Sequence, residues 1–110
     1  MPFTATYAPQ EPSRTDVESW PGLTLVEFGA PWCGICQGAQ PMISAALAPH
    51  PGVRHLKVED GRGKPLGRSF TVKLWPTLVL MRDGAVLGRW VRPHKSDEFV
   101  AALGRADAEA

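Results

Sequence analysis

The segment Leu23–Phe28 constrains the fold most strongly, because it predicts a strand that is apolar on both faces. Only Thr24 and Glu27 interrupt its apolar residues. Strands of this kind are typical of sheets that helices cover on both sides. The turn-forming residues Gly29–Trp32 follow, and a helix is then expected over Cys33–Ala48. The order of strand, turn and helix therefore indicates an α/β domain.

The rest of the chain continues this alternation of strands and helices. Phe3–Tyr7 alternates in polarity and predicts an edge strand, and Ser13 or Thr15 would begin a short helix that ends near Trp20. The pair Asp83-Gly84 between two apolar runs predicts a tight hairpin. The other expected elements are a strand at Val53–Val58, a short helix at Lys64–Phe70, strands at Leu78–Met81 and Ala85–Val91, and a closing helix at Lys95–Leu103.

Length and composition fit one compact domain. The 110 residues leave no room for a second domain, and 44% apolar residues suffice for a core. We therefore expect a single domain over residues 1–110, with a frayed tail at about 105–110. The net charge is +1 and charged residues of both signs are scattered, so neither a nucleic-acid nor a membrane surface is expected. The first residues form no basic or apolar leader, so a chain that begins at its natural start is expected in the cytoplasm.

The chain has only two cysteines, Cys33 and Cys36, and their spacing points to chemistry rather than to stabilisation. A disulfide between them closes almost no chain, so it would remove little entropy from the unfolded state. In the first turn of a helix their Cα atoms would lie about 5 Å apart, within the usual disulfide range of roughly 4.4–6.8 Å. The pair can therefore open and close with little backbone movement.

The position of each cysteine in the helix predicts its role. The positive end of the helix dipole favours a thiolate at Cys33, so Cys33 is expected to be the nucleophile. Cys36 lies one turn deeper and would resolve the mixed disulfide. Two alternatives remain. The thiols are inert core residues, or they supply half of a tetrahedral metal site that two chains would share. His50, His55 and His94 have no ligand spacing and are expected on the surface or in loops, so no metal is expected.

The segment Leu25–Cys36, which reads LVEFGAPWCGIC, closely resembles the active-site segment of the thioredoxins. The family pattern is an apolar strand, an acidic residue, Phe, Ala-Pro-Trp and Cys-Gly-Pro-Cys. Pro41 resembles the helix proline of the family and Lys57 its buried lysine. Trp75-Pro76-Thr77 resembles the loop that carries the cis-proline, and Asp83-Gly84 resembles the hairpin turn. The resemblance implies the thioredoxin fold, with a central mixed sheet of four to five strands flanked by helices on both faces.

The resemblance also implies the site residues. Cys33 and Cys36 would be the redox pair, with no cofactor besides their disulfide. Glu27 would be the buried acid near the inner sulfur, where it accepts and returns a proton. The positive charge of Lys57 would modulate the acidity of Glu27. Pro76 would face the disulfide, and its neighbouring backbone groups would pair with an extended substrate. The expected substrate-binding residues are Trp32, Gly34, Ile35, Trp75, Pro76, Thr77 and Arg92.

The sequence departs from the family pattern at five positions of this region, one of them Glu27, which is one methylene longer than the usual Asp. Ile35 replaces the proline between the cysteines, and Gly29 replaces an aromatic residue. Trp75 is larger than the usual apolar residue, and Arg92 adds a positive charge. The groove in which these residues would bind an extended substrate would therefore be bulkier and more basic. Four of the expected site residues also have plain structural alternatives. Glu27 could lie at a solvent edge, Lys57 on the surface, Trp75 in the core, and Arg92 could be a solvated charge.

The resemblance implies an enzyme that reduces protein disulfides and is itself reduced by a flavoenzyme of the thioredoxin-reductase type. A disulfide oxidase or isomerase of higher potential is one alternative, and Ile35 is the residue that favours it. A binding module of the co-chaperone type, which keeps the fold without turnover, is another. A monomer is the default expectation.

Overall fold

The computed structural model describes residues 3–93 and 97–109, and it contains a four-stranded mixed sheet flanked by helices. The strand order is β2-β1-β3-β4. β1 pairs parallel with β2 and antiparallel with β3, and β3 pairs antiparallel with β4. The predicted α/β fold is therefore confirmed. The elements are α1 Arg14–Glu18, β1 Leu23–Gly29, α2 Gly34–Leu47, β2 Arg54–Glu59, α3 Pro65–Ser69, β3 Thr77–Arg82, β4 Ala85–Val91 and α4 Asp97–Ala108.

The central strand β1 has all seven of its residues buried, because helices cover both of its faces. Leu25 packs into one core cluster together with Ile43 of α2 and Phe99 of α4. Phe28 packs into a second cluster together with Val17 of α1 and Leu66 of α3. Successive side chains of a strand point to opposite faces, so one apolar strand supplies both cores.

Local capping explains where several elements begin and turn. The Ser13 hydroxyl accepts the Asp16 amide N–H at 3.0 Å and forms a capping box, so Ser13 rather than Thr15 begins α1. Pro65 is the first residue of α3, where its missing N–H costs nothing. Asp83 and Gly84 both have positive φ, at 49° and 87°, and join β3 to β4 as the hairpin prediction requires.

The predicted strand at Phe3–Tyr7 is wrong, because side chains replace the backbone ladder that a strand needs. The Thr4 amide donates to Nδ1 of His55 at 2.7 Å, and the Thr4 hydroxyl donates to the His55 carbonyl at 3.0 Å. The Ala8 amide donates to the Lys57 carbonyl at 2.8 Å. The segment therefore runs beside β2 without extending the sheet.

The closing helix is longer than the sequence predicts. Its expected start at Lys95 lies outside the described residues, and it continues to Ala108 rather than stopping at Leu103. Ala106 is buried, and its carbonyl accepts a hydrogen bond from the Arg82 guanidinium. Residues 105–108 therefore belong to α4, and the expectation that they form a frayed tail is wrong. Within the described residues, every helix is too short or too polar to cross a membrane.

The hairpin glycine gives the first testable prediction. At Gly84 a Cβ would lie 2.2 Å from the Glu18 carbonyl oxygen, and φ is +87°. Gly84→Ala should therefore destabilise the protein by about 2 kcal/mol or more. Gly38→Ala is the matched control, because a Cβ there meets nothing within 4 Å and α2 gains a better helix former. Urea unfolding measures the stability of both variants. Equal unfolding midpoints would contradict the claim that position 84 requires glycine.

Candidate active site

The two cysteines lie where β1 passes into α2, and both are free thiols. Cys33 is the N-cap residue of α2, and its sulfur accepts the Cys36 amide N–H at 3.2 Å. A sulfur at this position faces the positive end of the helix, which stabilises negative charge. Cys33 is 9% exposed, whereas Cys36 is 1% exposed. An incoming disulfide therefore reaches Cys33 before Cys36.

Burial controls the chemistry of the inner thiol. It raises the pKa of Cys36 to about 12, and the hydrogen bond with Cys33 adds to the rise. A backbone hydrogen bond with Ala30 lowers this pKa but offsets only part of the effect. Cys36 is therefore a neutral thiol at physiological pH, and it needs a proton acceptor before it can attack.

The space beside Cys36 exists because residue 29 is glycine. A Cβ on Gly29 would lie 2.7 Å from the Cys36 sulfur and 3.1 Å from the Tyr7 hydroxyl oxygen. The thiol and the phenol thus flank the same small space, which any larger side chain at position 29 would fill. Burial, together with the charges of Cys36 and Glu27, raises the pKa of Tyr7, so this phenol stays protonated.

Glu27 is fully buried, which excludes the solvent-edge alternative. One carboxylate oxygen, Oε1, lies 2.8 Å from Nε2 of His55. The other, Oε2, accepts a hydrogen bond from the Gln40 amide nitrogen at 2.8 Å. The same nitrogen donates to the Cys36 carbonyl at 2.8 Å, so Gln40 connects the acid to the helix turn that carries Cys36.

Lys57 is buried, so it is not a surface lysine. Its ammonium group donates to Oε1 of Gln40 at 2.8 Å and to the Ala5 carbonyl at 3.0 Å. It also lies 4.8 Å from the centre of the Tyr7 ring, within cation–π range. The described residues contain no direct ion pair between Lys57 and Glu27. The amide of Gln40 therefore separates the two charges.

The expectation that all three histidines lie at the surface is wrong for His55. Its residue is 7% exposed and its side chain is fully buried against Glu27. His50 is half-buried, with Nδ1 2.6 Å from a carboxylate oxygen of Asp107. His94 lies outside the described residues. In the described part of the chain, no three His, Cys, Asp or Glu residues cluster as a metal site would require.

Two tryptophans form the outer side of the site. Trp32 is 71% exposed and meets Trp75 edge-on, with ring centroids 5.4 Å apart. Trp75 packs against the cysteines, and its indole nitrogen donates to a carboxylate oxygen of Asp60 at 2.8 Å. The peptide bond between Trp75 and Pro76 is cis. Trp75 therefore belongs to the wall beside the cysteines rather than to either main core.

The other residues expected to bind substrate differ in their exposure to solvent. Thr77 is fully buried and its hydroxyl donates to the Leu74 carbonyl at 2.6 Å, so the expectation that its side chain lines the groove is wrong. Gly34 is exposed as the first residue of α2, and Ile35 is 47% exposed. Ile35 shares with Arg92 a pocket of about 350 Å³, which Gly38, Ala39, Met42 and Pro93 complete.

Arg92 is bonded to the cis-proline loop. Its amide donates to the Pro76 carbonyl at 2.8 Å, and its guanidinium Nε donates to the Trp75 carbonyl at 2.9 Å. Its φ of +49° is unusual for a residue with a side chain. These contacts place a positive charge at the edge of the expected substrate groove and occupy two backbone acceptors, the carbonyls of Trp75 and Pro76.

A second pocket, of about 410 Å³, opens beside Cys36. Sequence reasoning missed Tyr7, Gln40 and His55 at this side of the site. Two of them carried a signal: Gln40 lies four residues after Cys36 on the same helix face, and His55 lies two residues before Lys57 on the same strand face. The pocket is lined by Ala5, Thr6, Tyr7, Ala30, Pro31, Cys36, Gln37, Gln40 and Lys57.

The raised pKa of the inner thiol predicts how the cysteines react with iodoacetamide. Cys33 should be alkylated first at pH 7. Labelling of Cys36 should keep rising up to pH 11, because its pKa of about 12 keeps it mostly protonated below that pH. Peptide mapping by mass spectrometry after limited reaction measures both sites. Faster labelling of Cys36, or a plateau of its labelling near pH 9, would contradict the assigned order.

Comparison with known proteins agrees with this geometry. The thioredoxin family model matches residues 6–105. The structure of reduced thioredoxin 2 from Pseudomonas aeruginosa is 45% identical with a TM-score of 0.85, and the match covers 98% of this chain and 100% of that one. Thioredoxin from Chlamydia trachomatis is 32% identical over 84 residues, which are 76% of this chain and 82% of that protein.

A protein disulfide-isomerase is also similar to this chain. Protein disulfide-isomerase A3 of Gallus gallus is 38% identical over 98 residues, which are 84% of this chain. The chain spans only 19% of the length of that relative. The match of the family model over most of the chain and the paired thiols at the start of α2 lead to one conclusion: the chain belongs to the thioredoxin family and is a thiol–disulfide oxidoreductase.

Proposed function

We propose that this chain reduces protein disulfides, with Cys33 as the attacking thiol and Cys36 as the resolving thiol. One observation carries the proposal: the Cys33 sulfur caps α2 by accepting the Cys36 amide N–H at 3.2 Å, while Cys36 itself is buried. An outer sulfur at the positive end of a helix, paired with an inner neutral thiol, fits an enzyme that attacks first and resolves afterwards.

In the first step the Cys33 thiolate attacks one sulfur of the substrate disulfide. The substrate S–S bond breaks, a new S–S bond forms to Cys33, and the second substrate sulfur leaves as a thiolate that takes a proton from water. The product is a mixed disulfide between Cys33 and the substrate.

In the second step Cys36 must lose its proton before it attacks the Cys33 sulfur. The proton passes to the Glu27 carboxylate, the Cys33–Cys36 bond forms, and the substrate leaves as its second thiolate, which is then protonated. Two electrons have moved from the enzyme dithiol to the substrate disulfide. The buried position of Glu27 and its link through Gln40 to the Cys36 turn support this role.

The groove beside Cys33 would hold an extended segment of the substrate. Its wall presents apolar surface from Trp75 and Ile35 and a positive charge from Arg92. A substrate strand that pairs with the Trp75 carbonyl meets the Arg92 guanidinium, which already donates to it. Substrates with an acidic side chain near the disulfide fit this contact best. The residues proposed to bind substrate are Trp32, Gly34, Ile35, Trp75, Pro76 and Arg92.

The oxidised enzyme needs two electrons to return to the dithiol. A flavoenzyme of the thioredoxin-reductase type would supply them, and the Cys33–Cys36 disulfide itself would be the only redox group that the chain needs. We place the reaction in the cytoplasm, where thiol pools keep such pairs reduced, and expect the protein to act as a monomer.

A disulfide isomerase is the second candidate function. The 38% identity to protein disulfide-isomerase A3 and the replacement of the family proline by Ile35 favour it. An isomerase has a higher potential and rearranges disulfides without net reduction. A binding module that does not turn over is a third possibility, for which a Cys33→Ser variant would keep the cellular role.

Reduction of insulin disulfides tests the proposed function. Cys33→Ser should abolish insulin reduction, because the attacking sulfur is absent. Cys36→Ser should instead accumulate a stable mixed disulfide with an insulin chain, because nothing resolves it. Non-reducing gels and mass spectrometry detect this adduct.

Refolding of scrambled ribonuclease, without added reductant, separates the candidates. The proposal predicts fast insulin reduction and slow reactivation of scrambled ribonuclease. The reverse pattern would assign the chain as an isomerase. An active Cys33→Ser variant in the insulin assay would contradict both assignments.

A further inference from the structure

The hydrogen bonds around Glu27 point towards its oxygens from two sides. His55 contacts Oε1 and Gln40 contacts Oε2, each at 2.8 Å. Both residues lie on elements that pack against β1: His55 on β2, and Gln40 on α2. Whether these partners donate or accept decides which protonation state of Glu27 the fold stabilises, because donors favour a carboxylate.

The backbone of the N-terminal segment fixes the tautomer of His55. The Thr4 amide N–H, 2.7 Å from Nδ1 of His55, can only donate, so Nδ1 must be an unprotonated acceptor. The proton of the neutral imidazole is then on Nε2, and Nε2 donates to Glu27 Oε1. The Phe3 ring covers the imidazole, with ring centroids 5.5 Å apart, and helps to hold it in place.

The amide of Gln40 is oriented in the same way by its neighbours. The Lys57 ammonium can only donate, so the group that it contacts at 2.8 Å must be the amide oxygen of Gln40. The amide nitrogen then faces the Cys36 carbonyl and Glu27 Oε2, and it donates to both. The Lys57 ammonium and the Cys36 carbonyl therefore both exclude the orientation in which the amide oxygen and nitrogen of Gln40 are exchanged.

The geometry points to His55 and Gln40 as positioning residues that hold Glu27 as an ionised carboxylate, ready to take the proton of Cys36. This inference rests on the proposed function, since it concerns the second step of disulfide exchange. Neither side chain touches a reacting sulfur, and each acts through Glu27.

The other ionisable groups around Glu27 are consistent with this role. The Gln40 amide lies between Lys57 and Glu27. The phenol of Tyr7 stays neutral because its pKa is raised. Cys36 is the thiol to be deprotonated, and the β3 residue in register with Glu27 is the apolar Leu78. The pocket of about 410 Å³ beside Cys36 and Gln40 has room for several water molecules, at about 30 Å³ each, next to the thiol to be deprotonated.

The proton balance of the step is simple. The Cys36 thiol gives its proton to the Glu27 carboxylate, and the resulting thiolate displaces the leaving thiolate from Cys33. Glu27 then gives this proton to the departing thiolate or to solvent, which restores the carboxylate. When Glu27 is protonated its hydroxyl oxygen is the weaker acceptor, so the two donors favour the carboxylate and the return of the proton.

Reaction with Ellman's reagent isolates this step. The reduced protein should release a first thionitrobenzoate when Cys33 attacks, and a second when Cys36 resolves the mixed disulfide. In His55→Leu, Glu27 loses a donor, so the pH midpoint of the second phase should rise by about one unit. Below that midpoint the second phase should be about tenfold slower, while the first phase keeps its rate.

Two variants act as controls, and a third repeats the test at the other donor. His55→Gln, which can restore an N–H donor, should bring the midpoint back towards that of the wild type. His50→Leu changes a histidine whose ring nitrogen Nδ1 contacts Asp107 rather than Glu27, and it should leave both phases unchanged. Gln40→Met tests the second donor independently in case His55→Leu fails to fold, and it should shift the midpoint in the same direction.

A double-mutant comparison separates positioning from structural damage. In a Glu27→Gln background, His55→Leu should produce no further change in the pH profile. An unshifted midpoint in His55→Leu and in Gln40→Met, or the same shift without Glu27, would overturn the inference. A wild-type protein that releases no second thionitrobenzoate would instead overturn the proposed function, because Cys36 would then resolve nothing.

Discussion

Strand β1 carries the structure, because it is buried on both faces and both core clusters meet on it. A strand in that position leaves any polar side chain without water, and burying an unpaired carboxylate costs several kcal/mol. Glu27 is such a side chain, and its contacts with His55 and Gln40 are what make its burial possible. The core and the acid of the site are therefore one arrangement: the strand that organises the fold also creates the need for the polar network.

The end of the same strand positions the thiols. β1 ends at Gly29, where the missing side chain leaves room for the Cys36 sulfur and the Tyr7 hydroxyl. Cys33 then begins α2, and its sulfur accepts an amide N–H in the way that a serine or aspartate cap does. The group that caps the helix is thus also the group that we propose to attack first. Oxidation of Cys33 would also change this helix cap. The start of α2 is therefore the local structure most directly coupled to disulfide exchange.

Local patterns explain which parts of this structure could be predicted from sequence. β1, the helix after it and the Asp83-Gly84 hairpin each depend on residues close together in the chain, and all three were predicted. The network around Glu27 depends on contacts between distant segments. Thr4 orients His55, and the Tyr7 hydroxyl lies beside Gly29, so neither His55 nor Tyr7 could be assigned without the fold. The end of α4 lies beyond the predicted Leu103 for a similar reason, because Ala106 is buried by tertiary packing and its carbonyl accepts a hydrogen bond from Arg82 of β3.

The reduction potential of the Cys33–Cys36 couple tests the central claim most directly. Equilibration in defined mixtures of reduced and oxidised dithiothreitol and glutathione, followed by trapping of free thiols, gives this potential. The account of a disulfide reductase predicts a value near the roughly −270 mV of thioredoxin. A value near or above the roughly −180 mV of protein disulfide isomerase would contradict it and would make this chain an isomerase or an oxidant.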